Sequence, residues 1–420
     1  MERNNEREVL DIALLIALNL LKSGAEIGRV EDTINYICKA YGAKSINCYA
    51  IPNLIIASID DLEGGATSEI RRNYKVDNNL FYIEAFNQLS RDICETKPSL
   101  NEVLEQVKII KRTKNYHWIF RFIAAFMAAF GCSMFFGGTW RDAICAGIVG
   151  MSVYGLLQID LLGKHRVLYN LLAALLGGIL SVLLCTIGFG ENISFVMIGG
   201  VMLMIPGISI GTSLKDIIYG DVVSGSTRLM QAIAASIAIA AGFSIWSVIF
   251  DMQIGFNREN PIWMLILGAP LAAIGYAIVF NAKPNKLIFC LIGGTITSLI
   301  YILFSEIILA NSSSVFVPTF LAVLTGSILA EVFARIVKAP AICMMLPSII
   351  VLVPGASLFF MMCNLINYQP EFLKYLAILA EGSFGIALGI IGSQIVPVIL
   401  KYFKFRKKKK RWFLCKFGVS

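Results

Sequence analysis

From residue 118 onward the chain is a succession of apolar runs about twenty residues long, divided by short polar stretches. A helix needs about 20 apolar residues to cross a bilayer's hydrocarbon. The runs predict ten spans, with cores at 118–136, 143–162, 167–189, 194–218, 229–250, 261–280, 286–309, 315–337, 341–365 and 372–400. Residues 1–117 are patterned differently. Helical apolar spacing runs from Val9 to Lys22 and stops at Ser23-Gly24, a C-terminal signal. Val30 to Tyr41 predicts a second helix ending at Gly42. Ser45–Ile51 and Leu54–Ile59 predict strands around Pro52-Asn53, and Ile70–Val76 a third. Leu80–Cys94 and Leu100–Arg112 predict helices. The expected fold class is an α-helical polytopic membrane protein with a small N-terminal α+β domain.

Charge sharpens this division. Residues 1–117 hold 15 Lys/Arg and 17 Asp/Glu, residues 118–400 hold 12 and 11, and residues 401–420 hold nine basic residues and no acid. The chain therefore divides into a water-soluble head (1–117), a membrane body (118–250 and 261–400) and a basic tail (401–420). With 57% apolar and 15% charged residues it is no ordinary soluble enzyme and no disordered chain. The net charge of +8 resides in the tail, at Arg406, Lys407, Lys408, Lys409, Lys410 and Arg411 among others. Such a tail fits a cytoplasmic anchor touching anionic lipid, not nucleic acid, since no aromatic readout module accompanies it.

Basic residues also orient the body. With the head in the cytoplasm, Lys164, Arg166, Lys215, Arg228, Lys283, Lys286, Arg335 and Lys338 fall on the inside, and only Arg141, Arg258 and Lys374 outside. Both termini are then cytoplasmic, in a multi-pass protein of the plasma membrane. No signal peptide is expected: Met1–Arg7 is charged, and Ile12–Leu21 is short and holds Asn19.

The body repeats itself. Ala128, Ala129, Gly131, Phe136, Ile144, Ile148 and Gly150 recur 144 residues later as Ala272, Ala273, Gly275, Phe280, Ile288, Ile292 and Gly294. Leu172–Leu180 recurs as Leu321–Leu329, and Pro206-Gly207-Ile208-Ser209 as Pro354-Gly355-Ala356-Ser357. Each half holds five spans. Five is odd, so the second half enters the membrane from the opposite side, the inverted plan many secondary transporters share.

The Pro-Gly pairs fall mid-way in spans 4 and 9. Proline inside a helix costs roughly 3 kcal/mol and frees a carbonyl, which in lipid must find a partner or a wet cavity. Each second half-helix starts there with free N–H groups and a positive dipole end, suited to a carboxylate. Pro206, Gly207, Ser209, Pro354, Gly355 and Ser357 are the candidate substrate site; a plain structural kink is the competing account. Asp216, Asp221 and Arg228 lie farther along, at the cytoplasmic mouth, as gate residues or an ordinary charged loop. Glu331 and Glu381 are intramembrane carboxylates, functional candidates by default. Glu331 has Arg335 one turn away, which fits a structural ion pair. Glu381 has no neighbouring cation, which suits a proton carrier. Glu26, Arg29, Glu31 and Asp32 cluster at a helix start, where capping and a solvated face are the plainer account and an acid pair without a partner His or metal spacing does not indicate catalysis.

Several chemistries are not indicated. The ten cysteines form no CxxC pair, so neither a zinc site nor a disulfide frame is expected. His117 and His165, the two histidines, sit beside charges at span edges. No phosphate-binding loop, GxGxxG or HExxH is present. We therefore expect no catalytic residue, no metal and no cofactor, and an ion gradient as the energy source.

The segment Ser23-Gly24-Ala25-Glu26-Ile27-Gly28-Arg29-Val30-Glu31-Asp32-Thr33 resembles the head signature of the threonine/serine exporter family. Pro206-Gly207, Asp216, Gly220-Asp221, Ser224-Gly225 and Arg228 resemble its pore motif, and Val353-Pro354-Gly355-Ala356 its second half. Ile27-Gly28 departs from the more polar or aromatic pair expected before the arginine. In some relatives the halves are separate chains linked to dicarboxylate export; here they are fused, and the resemblance covers nearly all of the chain. It implies a cytoplasmic head, about ten spans and export driven by a gradient, most simply of protons. The expected partners are a small-molecule substrate (threonine or serine, alternatively a succinate-type dicarboxylate) and the lipid bilayer, with a homo-oligomer left open. From another class, a non-transporting scaffold or sensor would need neither the inverted repeat nor the paired breaks.

Overall fold

The computed structural model describes residues 3–60, 66–74, 77–159, 166–250, 261–309, 314–366 and 369–417, with side chains left undescribed at 3–5, 166, 207–208, 244, 247–248 and 396–417. Lys164, His165 and Arg258 lie outside the described residues, as do the side chains of Arg166 and of Arg406 to Arg411.

The head opens with α1 (Arg3–Lys22) and α2 (Ile27–Ala40), continues through β1 (Ile46–Ile51), β2 (Leu54–Asp60) and β3 (Ala66–Arg72), and closes with α3 (Leu80–Thr96) and α4 (Leu100–Arg112). The strands form one antiparallel sheet in sequence order. Ile55, Ala57 and Ile59 of β2 are buried while Ile56 between them is exposed, the period of two that a half-covered sheet requires. Helices α1 and α2 cover the buried face. Leu10, Leu14, Leu20 and Leu21 of α1 are fully enclosed, each worth roughly 1.5–3 kcal/mol of transfer free energy. The third strand starts and ends four residues earlier than the sequence pattern predicts, pairing Asp60 with Ala66 and Leu54 with Arg72. Ile70, which suggested a strand, is itself 60% exposed, so no apolar stripe marks where β3 begins.

The body follows as α5 (Trp118–Phe136), α6 (Trp140–Gln158), α7 (Arg166–Thr186), α8 (Ile193–Val201), α9 (Gly207–Ile218) and α10 (Val222–Ile249). Then come α11 (Ile262–Val279), α12 (Leu287–Ile302, extended by a π-helical turn to Ile308), α13 (Phe316–Val337), α14 (Ile342–Ile349), α15 (Gly355–Ile366) and α16 (Phe372–Phe417). The backbone of α16 runs unbroken into the basic tail, which is no separate element. Among the described residues seven helices are long and apolar enough to cross a membrane, and the pair α14–α15, bent by 45°, makes eight. These are α5, α7, α10, α11, α12 with its flanking turns, α13 and α16. Two expected spans fall short by that measure. Trp140, Arg141, Asp142 and Gln158 dilute α6, and α8 and α9 are nine and twelve residues long.

Small residues set the helix contacts, and the contacts recur between the halves. Gly131 of α5 lies against the backbone of Gly268 and Ala272 on α11; Gly275 of α11 lies against Ala124 and Ala128 on α5. Gly150 meets Ala129, and Gly294 meets Ala273. Gly177 meets Val153, and Gly326 meets Thr297. Gly242 of α10 meets Ala174 on α7, and Gly389 of α16 meets Val323 on α13. Close backbone approach at small residues replaces the hydrophobic driving force that lipid does not supply. Glycine lets α5 and α11 touch main chain to main chain, and they run antiparallel.

Candidate functional site

Both expected helix breaks are present. Pro206 is the N-cap of α9, with φ −80° and ψ 41°, and Gly207 is its first residue. Val353 is extended, Pro354 follows, and α15 starts at Gly355. A proline ahead of a helix start has no N–H to orphan, which is why each half-helix begins where it does. The two breaks touch. A Cβ on Gly355 would lie 2.9 Å from the Met202 sulfur and 3.1 Å from Ile205 Cγ2, in the segment just before Pro206. Helix α16 seats against both, with Gly382 on Pro354 and Ile386 on Gly211. The surroundings are apolar: Ile210, Leu358, Met361 and Met362 pack together beside the breaks. The Ser357 hydroxyl donates to Pro354 O at 2.9 Å. The Ser209 hydroxyl has no hydrogen-bond partner among the described residues, and the first N–H groups of a helix such as α9 have no intrahelical partner.

Nine residues separate Gly207 from Asp216, about 14 Å along α9. The far end of α9 meets the head. Lys215 is buried, and its ammonium bonds Glu26 Oε1 at 2.5 Å. Arg228 of α10 pairs with Asp216 Oδ2 at 3.3 Å and donates to Ala25 O at 3.4 Å. Gly220, with φ +96°, ends α9 in a left-handed turn and lets Asp221 N–H return to Asp216 O at 3.0 Å. Gly225 then allows α10 to lie directly on the Ser213 carbonyl of α9.

The head residues singled out in the sequence do more than cap. Glu26 holds the N-cap position of α2 but makes no side-chain cap hydrogen bond. Burial pushes its carboxyl up, but the Lys215 ammonium, with Arg29 and Arg228 behind it, outweighs that and holds it below the ordinary carboxylate value. Arg29 donates to Asn87 Oδ1 on α3 at 3.2 Å. Glu31 accepts from Ala50 N–H at 2.8 Å, tying α2 to β1. Burial raises Glu31, against the Ala50 bond, and the nearby Asp221 and Asp32 raise it further. Asp32 alone stays exposed. Glu26, Arg29 and Asp32, but not Glu31, line a cleft of about 630 Å³ between head and body, together with Arg91, Lys215 and Asp216.

Glu381 and Glu331 do not line the cleft, although Glu381 immediately precedes Gly382, which seats on Pro354. Glu381 Oε2 accepts from Ser314 Oγ and Val315 N–H, both at 2.8 Å, and so caps the start of α13. Glu331 forms no ion pair with Arg335; the expected pair is absent because Arg335 is exposed, where an isolated i,i+4 pair gains too little to hold two long side chains. His117 accepts weakly from Ile119 N–H at the start of α5. Among the described residues no group of three His, Cys, Asp or Glu side chains could hold a metal ion.

One group was missed in the sequence, and another was read there only as an inside charge. Asp142, fully buried, forms a capping box with Thr139 and also accepts from the N–H groups of Glu191 and Asn192. Lys286, also buried, reaches Val337 O and Glu84 of the head. The Thr-x-x-Asp spacing could have flagged Asp142. Lys286 carries no local signal.

Sequence comparison finds relatives among membrane proteins. The chain is 24% identical to a pheromone-regulated membrane protein 10 of Pichia sorbitophila over 81% of its length and 36% of that protein. It is 25% identical to the protein of that name in Candida glabrata, over 80% of this chain and 44% of that one. An uncharacterized protein of Schizosaccharomyces pombe is 21% identical, over 77% and 43%. The chain thus spans less than half the length of these curated relatives. No solved structure matches it. Two models of the ThrE threonine/serine exporter family match, one over residues 11–250 and the other over 265–396. With both halves of the family in a single polypeptide, the chain belongs to the threonine/serine exporter family.

Proposed function

We propose that this protein is a secondary exporter of small carboxylate-bearing metabolites, threonine or serine foremost, built from two inverted five-helix repeats spanning the membrane ten times. The observation that carries this is the contact between the two helix breaks, with Gly355 abutting Met202 and Ile205. Irregular backbone at membrane depth is tolerated where it lines a site. The half-helix starts at Gly207 and Gly355 would take the carboxylate, with the Ser209 hydroxyl beside them.

The recurring helix contacts support the inverted plan. Gly131 on Ala272 and Gly275 on Ala128 is the reciprocal pattern of a two-fold axis. Because α5 and α11 run antiparallel, that axis lies across the helices, in the membrane plane. The head, both termini and the gate residues Asp216, Asp221 and Arg228 then face the cytoplasm. We assign the driving force to a proton gradient, with Glu381 and Glu331 as the intramembrane carboxylates that would carry it. The family is one of membrane transporters, not of enzymes.

Efflux from preloaded proteoliposomes tests this. Labelled threonine or serine should leave faster under an imposed proton gradient than without one. The double change Pro354→Leu/Gly355→Ala should abolish efflux while the protein still inserts. Undiminished efflux by that variant would remove the substrate site, and gradient-dependent efflux of succinate alone would make the protein a dicarboxylate exporter.

A further inference from the structure

The joint between head and body carries positive charge that nothing in the fold neutralises. Helix α4 ends in Lys111 and Arg112, Lys114 follows in the linker, and Arg121 lies in the first turn of α5. Between residues 106 and 141 the chain has no Asp or Glu. Glu105, the acid just before, already holds Lys108 at 2.7 Å. Burial, and after it the charge of Lys22 at the end of α1, hold the Lys111 ammonium below its ordinary value, so these two like charges lie close together. Lys22, Lys111, Arg112 and Lys114 are exposed, and Arg121 is half-buried. None of the five forms an ion pair among the described residues. Asp77, whose N–H bonds Lys22 O at 2.7 Å, offsets one of the five charges at most. The cluster sits where the chain enters the membrane: the apolar span of α5 begins at Trp118. Trp118 and Phe120 are 62% and 60% exposed, and aromatic rings at the start of a span favour the headgroup region. The joint is also fixed in shape. The Tyr82 hydroxyl donates to Lys111 O at 3.2 Å, Asn115 to Asn281 O at 3.3 Å and Tyr116 to Ala282 O at 2.7 Å.

We propose that the corner between α4 and α5 is a docking surface for anionic phospholipid headgroups in the leaflet on the head's side. Cations gathered without a counterion repel one another, and a surface of opposite sign removes that cost. Basic residues clustered beside a span attract anionic lipid in this way. Lys22, Lys111 and Arg112 reach the headgroups from the head, Lys114 from the linker and Arg121 from the body, so a bound lipid joins all three parts. Arg121 is steadied for this by Gln158 Oε1 at 3.3 Å and by the Tyr154 ring, 5.7 Å from its guanidinium carbon. A zwitterionic headgroup gains less, because its own cation faces the cluster. Nucleic acid fits badly, since Trp118 and Phe120 belong to the start of the span and offer no stacking platform in water. The site goes beyond the exporter assignment and does not rest on it: occupancy needs no gradient, no substrate and no intact helix break.

Native mass spectrometry of the full chain in uncharged detergent tests the proposal, counting the lipids retained when phosphatidylglycerol or phosphatidylcholine is added. The background protein has Arg406, Lys407, Lys408, Lys409, Lys410 and Arg411 all changed to Gln, which removes the tail's own attraction for anionic lipid. In it, phosphatidylglycerol should bind at least about tenfold more tightly than phosphatidylcholine, and it should raise the melting temperature. Each basic residue at an anionic surface is worth a factor of about five. Lys111→Gln/Arg112→Gln/Lys114→Gln should therefore weaken phosphatidylglycerol about tenfold or more and leave phosphatidylcholine unchanged. These three side chains hold no hydrogen bond or ion pair among the described residues, so the melting temperature without lipid should not move. Lys39→Gln/Lys44→Gln/Arg91→Gln removes the same charge from exposed positions elsewhere on the head and should bind phosphatidylglycerol as the background does. Raising the salt from 0.1 M to 1 M shortens the screening length from about 10 Å to about 3 Å and should shrink the preference between the two lipids. Equal binding of the two lipids, an unchanged affinity in the first triple variant, or an equal loss in both triple variants would overturn the surface as a lipid site. Displacement of phosphatidylglycerol by inorganic phosphate at equal concentration would overturn it too, and make the joint a site for small anions.

Discussion

Glu26 shows what a residue's sequence neighbourhood conceals. At the head of α2 it has the appearance of a helix cap, yet its partner Lys215 is 189 positions away and buried. No local pattern could announce that pair, whereas Arg29 and Asp32 were visible as a charged cluster and only their shared cleft was not. The pair makes a pH prediction. Lys215 holds the Glu26 carboxyl below the ordinary carboxylate value. A depressed carboxylate contributes stability that is complete above its unfolded value and lost as pH falls through the folded one. Glu26→Gln should therefore lower the melting temperature at neutral pH, by an amount equivalent to about 1–2 kcal/mol given that a third of the side chain is exposed. The gap to wild type should close in acid below the ordinary carboxylate range; a constant gap from neutral to strongly acid pH would deny the linkage. The thiols make a second residue-scale prediction. Burial pushes Cys38 to about 12 and Cys48 to about 11, so neither is a thiolate near neutrality. Both should alkylate slowly at pH 8 in the folded chain and quickly in denaturant, by mass spectrometry.

At the scale of elements, the body was more legible than the head's sheet. Long apolar runs mark helices directly, and proline marks a break because it removes an N–H and clashes with the preceding turn. The recurrence of Ala128, Ala129, Gly131 and Gly150 as Ala272, Ala273, Gly275 and Gly294 was legible because these small residues lie at helix crossings. Strand β3 was misplaced because exposed and half-exposed positions alternate along it with no apolar face. Span counting is hardest where a break divides the apolar run, as between α8 and α9. The crossing of α5 and α11 predicts paired effects. Gly131→Val and Gly275→Val each force a side chain into backbone less than 3 Å from its Cβ, so both should destabilise strongly and to a similar degree. Thermal denaturation in detergent would show this, and a large effect at one site with none at the other would argue against the two-fold arrangement. Glu381 belongs here too, since its bonds to Ser314 and Val315 serve the start of α13.

At the scale of the molecule, the head is fastened to both halves of the body. On the first half, Glu26 and Ala25 hold Lys215 and Arg228. On the second, Leu80 N–H bonds Phe280 O at 2.8 Å, Tyr116 bonds Ala282 O at 2.7 Å, and Glu84 pairs with Lys283 at 2.9 Å and Lys286 at 3.7 Å. Any motion of one half against the other must strain one of these attachments, so their strengths would govern such a motion. The second is anchored unevenly. Lys283 is about one-third exposed, but Lys286 is 3% exposed and has Glu84 as its one anionic partner among the described residues. Removing an exposed charge costs little, whereas leaving a buried one unpaired costs several kcal/mol. Glu84→Ala should therefore destabilise by about 2–4 kcal/mol and Lys283→Ala by less than about 1 kcal/mol. Exchanging the charges in Glu84→Lys/Lys283→Glu should recover only part of the loss, because the new Lys at position 84 repels Lys286. A double-mutant cycle on melting temperature, with amide exchange at the start of α3, would measure this; full recovery by the exchange would show that Lys286 contributes nothing to holding the head.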